Sequence, residues 1–457
     1  MIKREIFRQY DIRGRAGEEL NDDAVLGISR AFAKYVFQKG RKTVIVGRDN
    51  RFSSPGIQGM VLETLLASGL DVVDLGVVIS PMFYFAARHL DIDAGIMITA
   101  SHNPGPDNGF KLLLGSSTIY GDEIQELADW AMRGERLNAS KRGSLQEIDI
   151  KSQYIEAITS RIKLGGRKLH AVIDCGNGTA GPVAPELFRK LGCQVTELYC
   201  DSDPSFPNHH PDPVKLENSR ELIKVVRKTG ADLGLGFDGD GDRLGVVAPD
   251  GTMIWGDLLM VLFWREILPK HPGAQCIVEV KCSQSLIDEI VRLGGKPLIY
   301  KTGHSLIKAK MKEIGAVFTG EMSGHMFFAD EYYGFDDALY AAARLLRILS
   351  NSDKDLSEML ADVPHYYATP ELRVKSSDQE KFRLVERTLE HFRTRYDLID
   401  VDGARILFPG GWGLVRASNT GPELIVRCEG RTPEDLEAIK SELFSFLESQ
   451  GLKIPED

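Results

Sequence analysis

Residues 94–104 read Ala94-Gly95-Ile96-Met97-Ile98-Thr99-Ala100-Ser101-His102-Asn103-Pro104, an apolar run that empties into a polar turn. The run reads as a buried strand. A hydroxyl on a turn at the end of such a strand is where many α/β proteins put a nucleophile or hold a phosphate. Asn103-Pro104 and the following Asp107-Asn108-Gly109 pin a turn, Pro by fixing φ and Asn and Gly by tolerating left-handed geometry. Taken alone, Ser101 reads as a serine that satisfies loop amides. The balance shifts with a second stretch far downstream, Asp238-Gly239-Asp240-Gly241-Asp242-Arg243, because a hydroxyl and a carboxylate cluster at strand ends can share a metal and a phosphate.

Working outward, the pattern predicts a helix over 22–38, a strand over 43–46, a helix from Ser54-Pro55 and a strand over 71–75. Strands alternating with helices argue for a mainly parallel sheet covered on both faces. The unit recurs where 170–174 runs into Cys175-Gly176-Asn177-Gly178, and again where 276–280 runs into Lys281-Cys282-Ser283. Three such rounds predict three related α/β domains with mixed, mainly parallel sheets. The tail groups its elements differently: a strand over 371–374, a long helix, short strands around 409–421 and a helix opening at Thr432-Pro433. It reads as a smaller α+β domain. The expected boundaries give domains 1–148, 149–250, 251–366 and 367–457.

With 457 residues the chain is too long for one ordinary core, and 43% hydrophobic with 27% charged residues is the balance of a soluble globular protein. A net charge of −10 argues against a general nucleic-acid or membrane binder. Six scattered cysteines with no Cys-x-x-Cys pair, no apolar leader and no long uncharged run predict reduced thiols in a cytoplasmic protein.

Three carboxylates within five residues repel one another unless a cation sits among them, and the intervening glycines let the backbone curl so that Asp238, Asp240 and Asp242 converge. Oxygen ligands of this kind select Mg²⁺ or Ca²⁺. A calcium-binding EF-hand fails, since its sixth position would be Arg243 and its twelfth Pro249. Gly320-Glu321-Met322-Ser323-Gly324-His325 carries groups that bind sugar hydroxyls, or serves equally as a capped turn. Lys281 and Thr302-Gly303-His304-Ser305 add donors. Arg416-Ala417-Ser418-Asn419-Thr420-Gly421 reads as an anion cradle with Arg427 as a second cation, or as a polar hairpin loop.

Together these strings resemble the α-D-phosphohexomutase family, from Phe7-Arg8-Gln9-Tyr10-Asp11-Ile12-Arg13-Gly14 through Thr99–Pro104 and Asp238–Arg243 to Arg416–Thr420, in family order. Gly-Glu-Met-Ser-Gly-His is similar to the form in the mannose/glucose subgroup. The resemblance implies reversible phosphoryl transfer between the 6- and 1-positions of mannose and glucose phosphates, through a phosphoserine at Ser101 and a hexose 1,6-bisphosphate that acts as intermediate and activator. It implies Mg²⁺ held by Ser101, Asp238, Asp240 and Asp242, with Arg243 and Lys111 near the phosphate. Glu321 and Ser323 would hold sugar hydroxyls, and Arg416, Ser418, Asn419 and Thr420 the distal phosphate. Tyr10, Arg13, Lys281, His304 and His325 would line the cleft, with Arg13, Lys111 and His325 the candidates for proton transfer. Its partners would be small hexose phosphates, with no nucleic acid or membrane, and the chain a monomer or weak dimer. A phosphoglucosamine mutase, a mutase acting on glucose alone and an inactive sugar-phosphate binding protein are the rival readings.

Overall fold

In the computed structural model, strand Ala94–Ile98 is buried along its whole length inside a seven-stranded sheet. The structure describes residues 2–115, 117–419 and 421–455. Thr43–Arg48 pairs in parallel with both Ala94–Ile98 and Asp71–Val77, because helices Ser54–Ala67 and Ser80–His89 carry the chain back across the sheet. Both helices take Pro in the first turn, where its missing N–H costs nothing. Asp22–Gln38, capped by Asn21 Oδ1 accepting from the Ala24 N–H at 3.1 Å, packs its apolar side against Ser54–Ala67 and Asp122–Met132.

One local expectation is corrected. Asp107-Asn108-Gly109 does not turn but opens the strand Asp107–Leu114, which runs antiparallel between Ala94–Ile98 and Ile12–Arg15. Gly109 makes this possible: a Cβ there would lie 2.4 Å from the Ile12 carbonyl oxygen. The turn is made instead by residues 101–106, and pairing with Ile12–Arg15 overrides the local turn signal.

A second sheet runs in the order Met253–Ile254, Leu244–Val247, Leu233–Phe237, His170–Asp174, Gln194–Leu198. Its central strand Leu233–Phe237 is parallel to His170–Asp174 and antiparallel to Leu244–Val247, so Asp238–Arg243 is the hairpin between them. A short antiparallel pair, Phe318–Gly320 with Met326–Phe328, presents the turn Glu321–His325.

The chain divides into two compact units, 2–267 with 304–361, and 268–303 with 362–455. The block 251–366 therefore contributes to both. In the second unit, the parallel pair Gln275–Glu279 and Lys296–Tyr300 joins the C-terminal sheet through an apolar cluster of Val280, Trp412 and Leu414. Fully buried Arg405 reinforces that seam, donating to the Val280 and Cys282 carbonyls at 2.6 and 3.1 Å and stacking 3.9 Å over Trp412. The C-terminal sheet is antiparallel, ordered Tyr367–Ala368, Glu423–Gly430, Gly411–Ala417, Ala404–Phe408, Asp397–Ile399, with Leu372–Lys375 also on Glu423–Gly430. Helices Glu380–Arg393 and Pro433–Ser449 cover it, the latter closed by a Thr432/Asp435 capping box.

Candidate active site

Ser101 stands directly past the buried strand with φ of +52°, left-handed backbone that a non-glycine residue holds at a cost of about 1–3 kcal/mol. Its N–H donates to Thr99 Oγ1 at 2.9 Å. Beneath the loop, buried Arg51 donates to the carbonyls of Ser101 and Asn103, each at 2.7 Å, and to those of Pro104 and Asp107 at 2.6 and 3.0 Å. Asp49 holds that guanidinium at 3.0 Å. A single cation thus fixes the loop from below, and the strained residue is over-determined.

The hydroxyl so placed donates to Asp238 Oδ2 at 2.6 Å. Asp238, Asp240 and Asp242 are buried, and one oxygen from each lies within 4.8 Å of the others. Gly239 lets the two loops meet, because a Cβ there would sit 2.5 Å from the Ser101 carbonyl oxygen; Gly241, at φ +71°, completes the curl. Lys111 Nζ bonds Asp240 Oδ2 at 2.7 Å and Asp242 Oδ2 at 2.5 Å, and Ser80 Oγ donates to Asp240 Oδ2 at 2.7 Å. Burial, then repulsion from Asp242 and Asp240, pushes the Asp238 carboxyl well above its ordinary pKa. Burial alone would discharge Lys111, but Asp240 and Asp242 outweigh it and hold the ammonium well above the usual lysine range. One ammonium does not satisfy three acids: Asp240 Oδ1 and Asp242 Oδ1 remain buried without a hydrogen-bond donor. Three buried carboxylates this close, with two of their oxygens orphaned, fit a divalent metal ion with oxygen ligands.

Other predicted residues gather around this centre. Arg13 pairs with Asp11 at 2.6 Å and donates to Asn103 Oδ1 at 2.7 Å, so it reaches the serine loop. Arg243 Nε donates to His325 Nε2 at 3.0 Å. The turn carrying Glu321 and Ser323 is docked on the carboxylate hairpin by its backbone, Leu244 N–H donating to the Gly324 carbonyl at 3.0 Å. Gly324, at φ +92°, is required there, since a Cβ would lie 2.6 Å from the Leu244 carbonyl oxygen. Glu321 is buried, while Ser323 is partly exposed. His304 stacks 5.7 Å from His325, and Tyr10 meets His304 edge-on at 5.3 Å.

Lys281, Arg416, Ser418, Asn419 and Arg427 belong instead to the second unit, and Thr420 lies outside the described residues. Lys281 Nζ bonds Glu371 Oε2 at 2.9 Å, Arg416 Nε donates to Asp402 Oδ2 at 3.1 Å, and Arg427 donates to the Lys281 carbonyl. Ser418 Oγ accepts from the Gly421 N–H at 3.2 Å, and Lys381 Nζ braces the loop through the Ser418 and Gly421 carbonyls at 2.8 and 3.0 Å. Lys281, Arg416 and Arg427, with the Ser418 hydroxyl and the Asn419 amide, are groups that suit an anion.

Comparison with known proteins matches the phosphoglucomutase/phosphomannomutase models in sequence order: α/β/α domain I over residues 4–134, domain II over 152–251, domain III over 255–367 and the C-terminal domain over 371–445. The chain belongs to the phosphoglucomutase/phosphomannomutase family. It is 43% identical to a phosphomannomutase/phosphoglucomutase of Pseudomonas aeruginosa, over 98% of this chain and 97% of that one. It is 44% identical to a phosphoglucomutase of Neisseria gonorrhoeae, over 98% of each. Among solved structures, a phosphoglucomutase/phosphomannomutase family protein from Burkholderia thailandensis is 42% identical with a TM-score of 0.93, covering both chains completely. The four-domain α/β phosphohexomutase fold with mixed sheets is thereby shown for this chain.

Several residues that shape this candidate site are not among those the sequence predicts. Arg51 and Ser80 act through residues far along the chain, the Ser101 carbonyl and the Asp240 carboxylate. His-His-Pro-Asp-Pro at 209–213 is a legible signal for such a role: His210 Nε2 contacts the His102 carbonyl, and Pro211 underlies both Gly176 and Gly239. His102 itself places Nδ1 3.2 Å from Ser101 Oγ. Asp336 and Lys308, joined at 3.0 Å, lie behind His304 and His325.

Proposed function

We propose that this chain interconverts the 6- and 1-phosphates of mannose and glucose, with Ser101 as the phosphoryl carrier and hexose 1,6-bisphosphate as intermediate and activator. The observation that carries this reading is the 2.6 Å contact between Ser101 Oγ and Asp238 within the triple-carboxylate cluster. Phosphoryl transfer asks for neutralised charge and in-line positioning more than for covalent ingenuity. Mg²⁺, held by Asp238, Asp240, Asp242 and the Ser101 phosphate, would supply that neutralisation when bound. Arg243 and Lys111 add fixed positive charge beside the transferred group. Glu321 and Ser323 bind ring hydroxyls; Tyr10, Arg13 and His304 line the cleft. Lys281, Arg416, Ser418, Asn419, Thr420 and Arg427 take the phosphate that is not reacting. In this reading the four domains 1–148, 149–250, 251–366 and 367–457 carry phosphoserine, metal, sugar and distal phosphate in turn.

As the phosphoryl group leaves Ser101 Oγ for a sugar hydroxyl, the hydroxyl proton needs an acceptor, and it returns on the second transfer. Lys111, clamped as an ammonium between two carboxylates, is a poor acceptor, and an arginine such as Arg13 stays charged. His325 suits the role, since the Arg243 N–H directed at Nε2 requires a lone pair there. We place the chain in the cytoplasm as a monomer or weak dimer; no helix among the described residues is long and apolar enough to cross a membrane, and the six cysteines are free.

The sugar is tested by turnover of mannose 1-phosphate, glucose 1-phosphate and glucosamine 1-phosphate side by side with Mg²⁺. Comparable kcat/KM for the first two, each well above the third, is expected. A clear preference for the glucosamine sugar would make the chain a phosphoglucosamine mutase, and no turnover of any would leave a sugar-phosphate binding protein.

A further inference from the structure

Two buried polar atoms behind the candidate site face each other with no other hydrogen-bond partner, His325 Nδ1 and Asp336 Oδ2, 3.3 Å apart. The other carboxylate near that nitrogen, Asp242 Oδ1, is farther at 3.6 Å and belongs to the metal cluster. On the opposite edge of the ring, Arg243 Nε–H is directed at Nε2 from 3.0 Å. A guanidinium can only donate, so Nε2 carries the lone pair and the proton of the neutral imidazole sits on Nδ1, aimed at Asp336.

Asp336 is itself rigidly held. Its backbone bridges to Phe327 in the strand Met326–Phe328, and its Oδ1 accepts from Lys308 Nζ at 3.0 Å. Lys308 in turn lies 4.3 Å over the Tyr84 ring. His304 Nδ1 approaches the same carboxylate, 3.7 Å from Oδ2. Asp242, His325 and Asp336 also form a cluster spaced for a metal ion, but the Lys308 ammonium already neutralises Asp336. The neighbouring Asp337 does different work: it caps helix Ala338–Ser350 through the Tyr340 N–H at 2.8 Å and accepts from the Tyr154 and Tyr332 hydroxyls, each at 2.9 Å. Of two adjacent, fully buried aspartates, one builds the helix and the other faces the histidines.

We infer that Asp336 is a positioning residue whose carboxylate fixes the orientation and the Nδ1–H tautomer of His325, leaving Nε2 as the atom that takes and returns the substrate proton. The inference rests on the mutase reading of the site. It adds to that reading a residue 11 positions beyond the histidine and outside every motif of the sequence. When Arg243 turns to an incoming phosphate, Asp336 is the contact that keeps the ring from flipping. A carboxylate behind an acid–base histidine does this by orientation and tautomer choice, without taking the proton itself.

The test uses the full chain labelled with ¹⁵N-histidine, with the His325 ring signals identified by their loss in His325→Gln. The wild-type ring should show a protonated Nδ1 and an unprotonated Nε2. In Asp336→Asn that pattern should move toward the other tautomer, kcat should fall about 100-fold, and KM should stay within about threefold. Lys308→Met, which leaves the carboxylate in place, should keep the Nδ1–H pattern. Asp337→Asn should lower Tm without moving the His325 signals. A wild-type ring protonated on Nε2 would overturn the inference even if no variant folds, as would an Asp336→Asn enzyme with unchanged ring signals and kcat within threefold of wild type. Failure of the mutase reading is separate: the wild-type protein would turn over no hexose phosphate, while the ring signals still report whether Asp336 sets the tautomer.

Discussion

Ser101 keeps a left-handed backbone because Arg51, fifty residues earlier, bonds four carbonyls of its loop. Arg51→Met preserves the aliphatic stem but strands those carbonyls and leaves Asp49 a buried unpaired charge. Loss of one partner of such a network costs about 3–5 kcal/mol. Thermal unfolding should report that loss, and residual turnover at a permissive temperature should fall at least about tenfold as the loop relaxes. Retention of both stability and turnover would mean that the loop holds itself. At this scale the sequence was legible where a side chain's chemistry is announced by its neighbours, as with the Asp-Gly repeat at 238–242. It was silent on Arg51 and Asp336, whose roles come from contacts with residues distant in the chain or with no motif around them.

The two loops that meet at the site are hairpin and strand-end elements, and their closeness depends on a missing side chain. A methyl group at Gly239 would sit 2.5 Å from the Ser101 carbonyl oxygen, so Gly239→Ala forces the carboxylates away from the hydroxyl. Calorimetric Mg²⁺ titration of this variant should show affinity weakened by about tenfold or more, with Tm changed little, because the strands on either side keep their pairing. Unchanged affinity would place the ion elsewhere. Element types were largely readable: strands 94–98 and 170–174 and the helix 22–38 form where their apolar patterns put them. Asp107-Asn108-Gly109 misled because turn-forming residues also suit a strand whose neighbour must come close, and only tertiary pairing distinguishes the two.

Across the whole chain, the domain order was legible from the recurrence of strand, polar turn and helix. The attachment of residues 268–303 to the C-terminal sheet was not, since it rests on Arg405, Trp412 and Val280 meeting in space. The second unit has its own electrostatic signature. Burial raises the Glu371 carboxyl, but Lys281, then Arg373 and Arg416, more than reverse this and bring it down to about 2 from an ordinary 4.5. A depressed carboxylate stabilises the fold above its unfolded pKa and loses that stabilisation as pH falls toward the folded value. The shift corresponds to on the order of 2 kcal/mol after allowance for partial exposure. Glu371→Gln should therefore be less stable than wild type at pH 7, with the gap closing between about pH 4.5 and 2 in urea titrations. A gap independent of pH would show that packing, not charge, holds Glu371.

Ser101 Oγ as carrier of the phosphoryl group is tested most directly by peptide mass spectrometry of the protein after glucose 1,6-bisphosphate, before and after a chase with mannose 1-phosphate. A single phosphate on Ser101 that disappears in the chase and is absent, along with turnover, in Ser101→Ala is the predicted result. Full turnover by Ser101→Ala, or a phosphate on Ser101 that the sugar cannot remove, would contradict it.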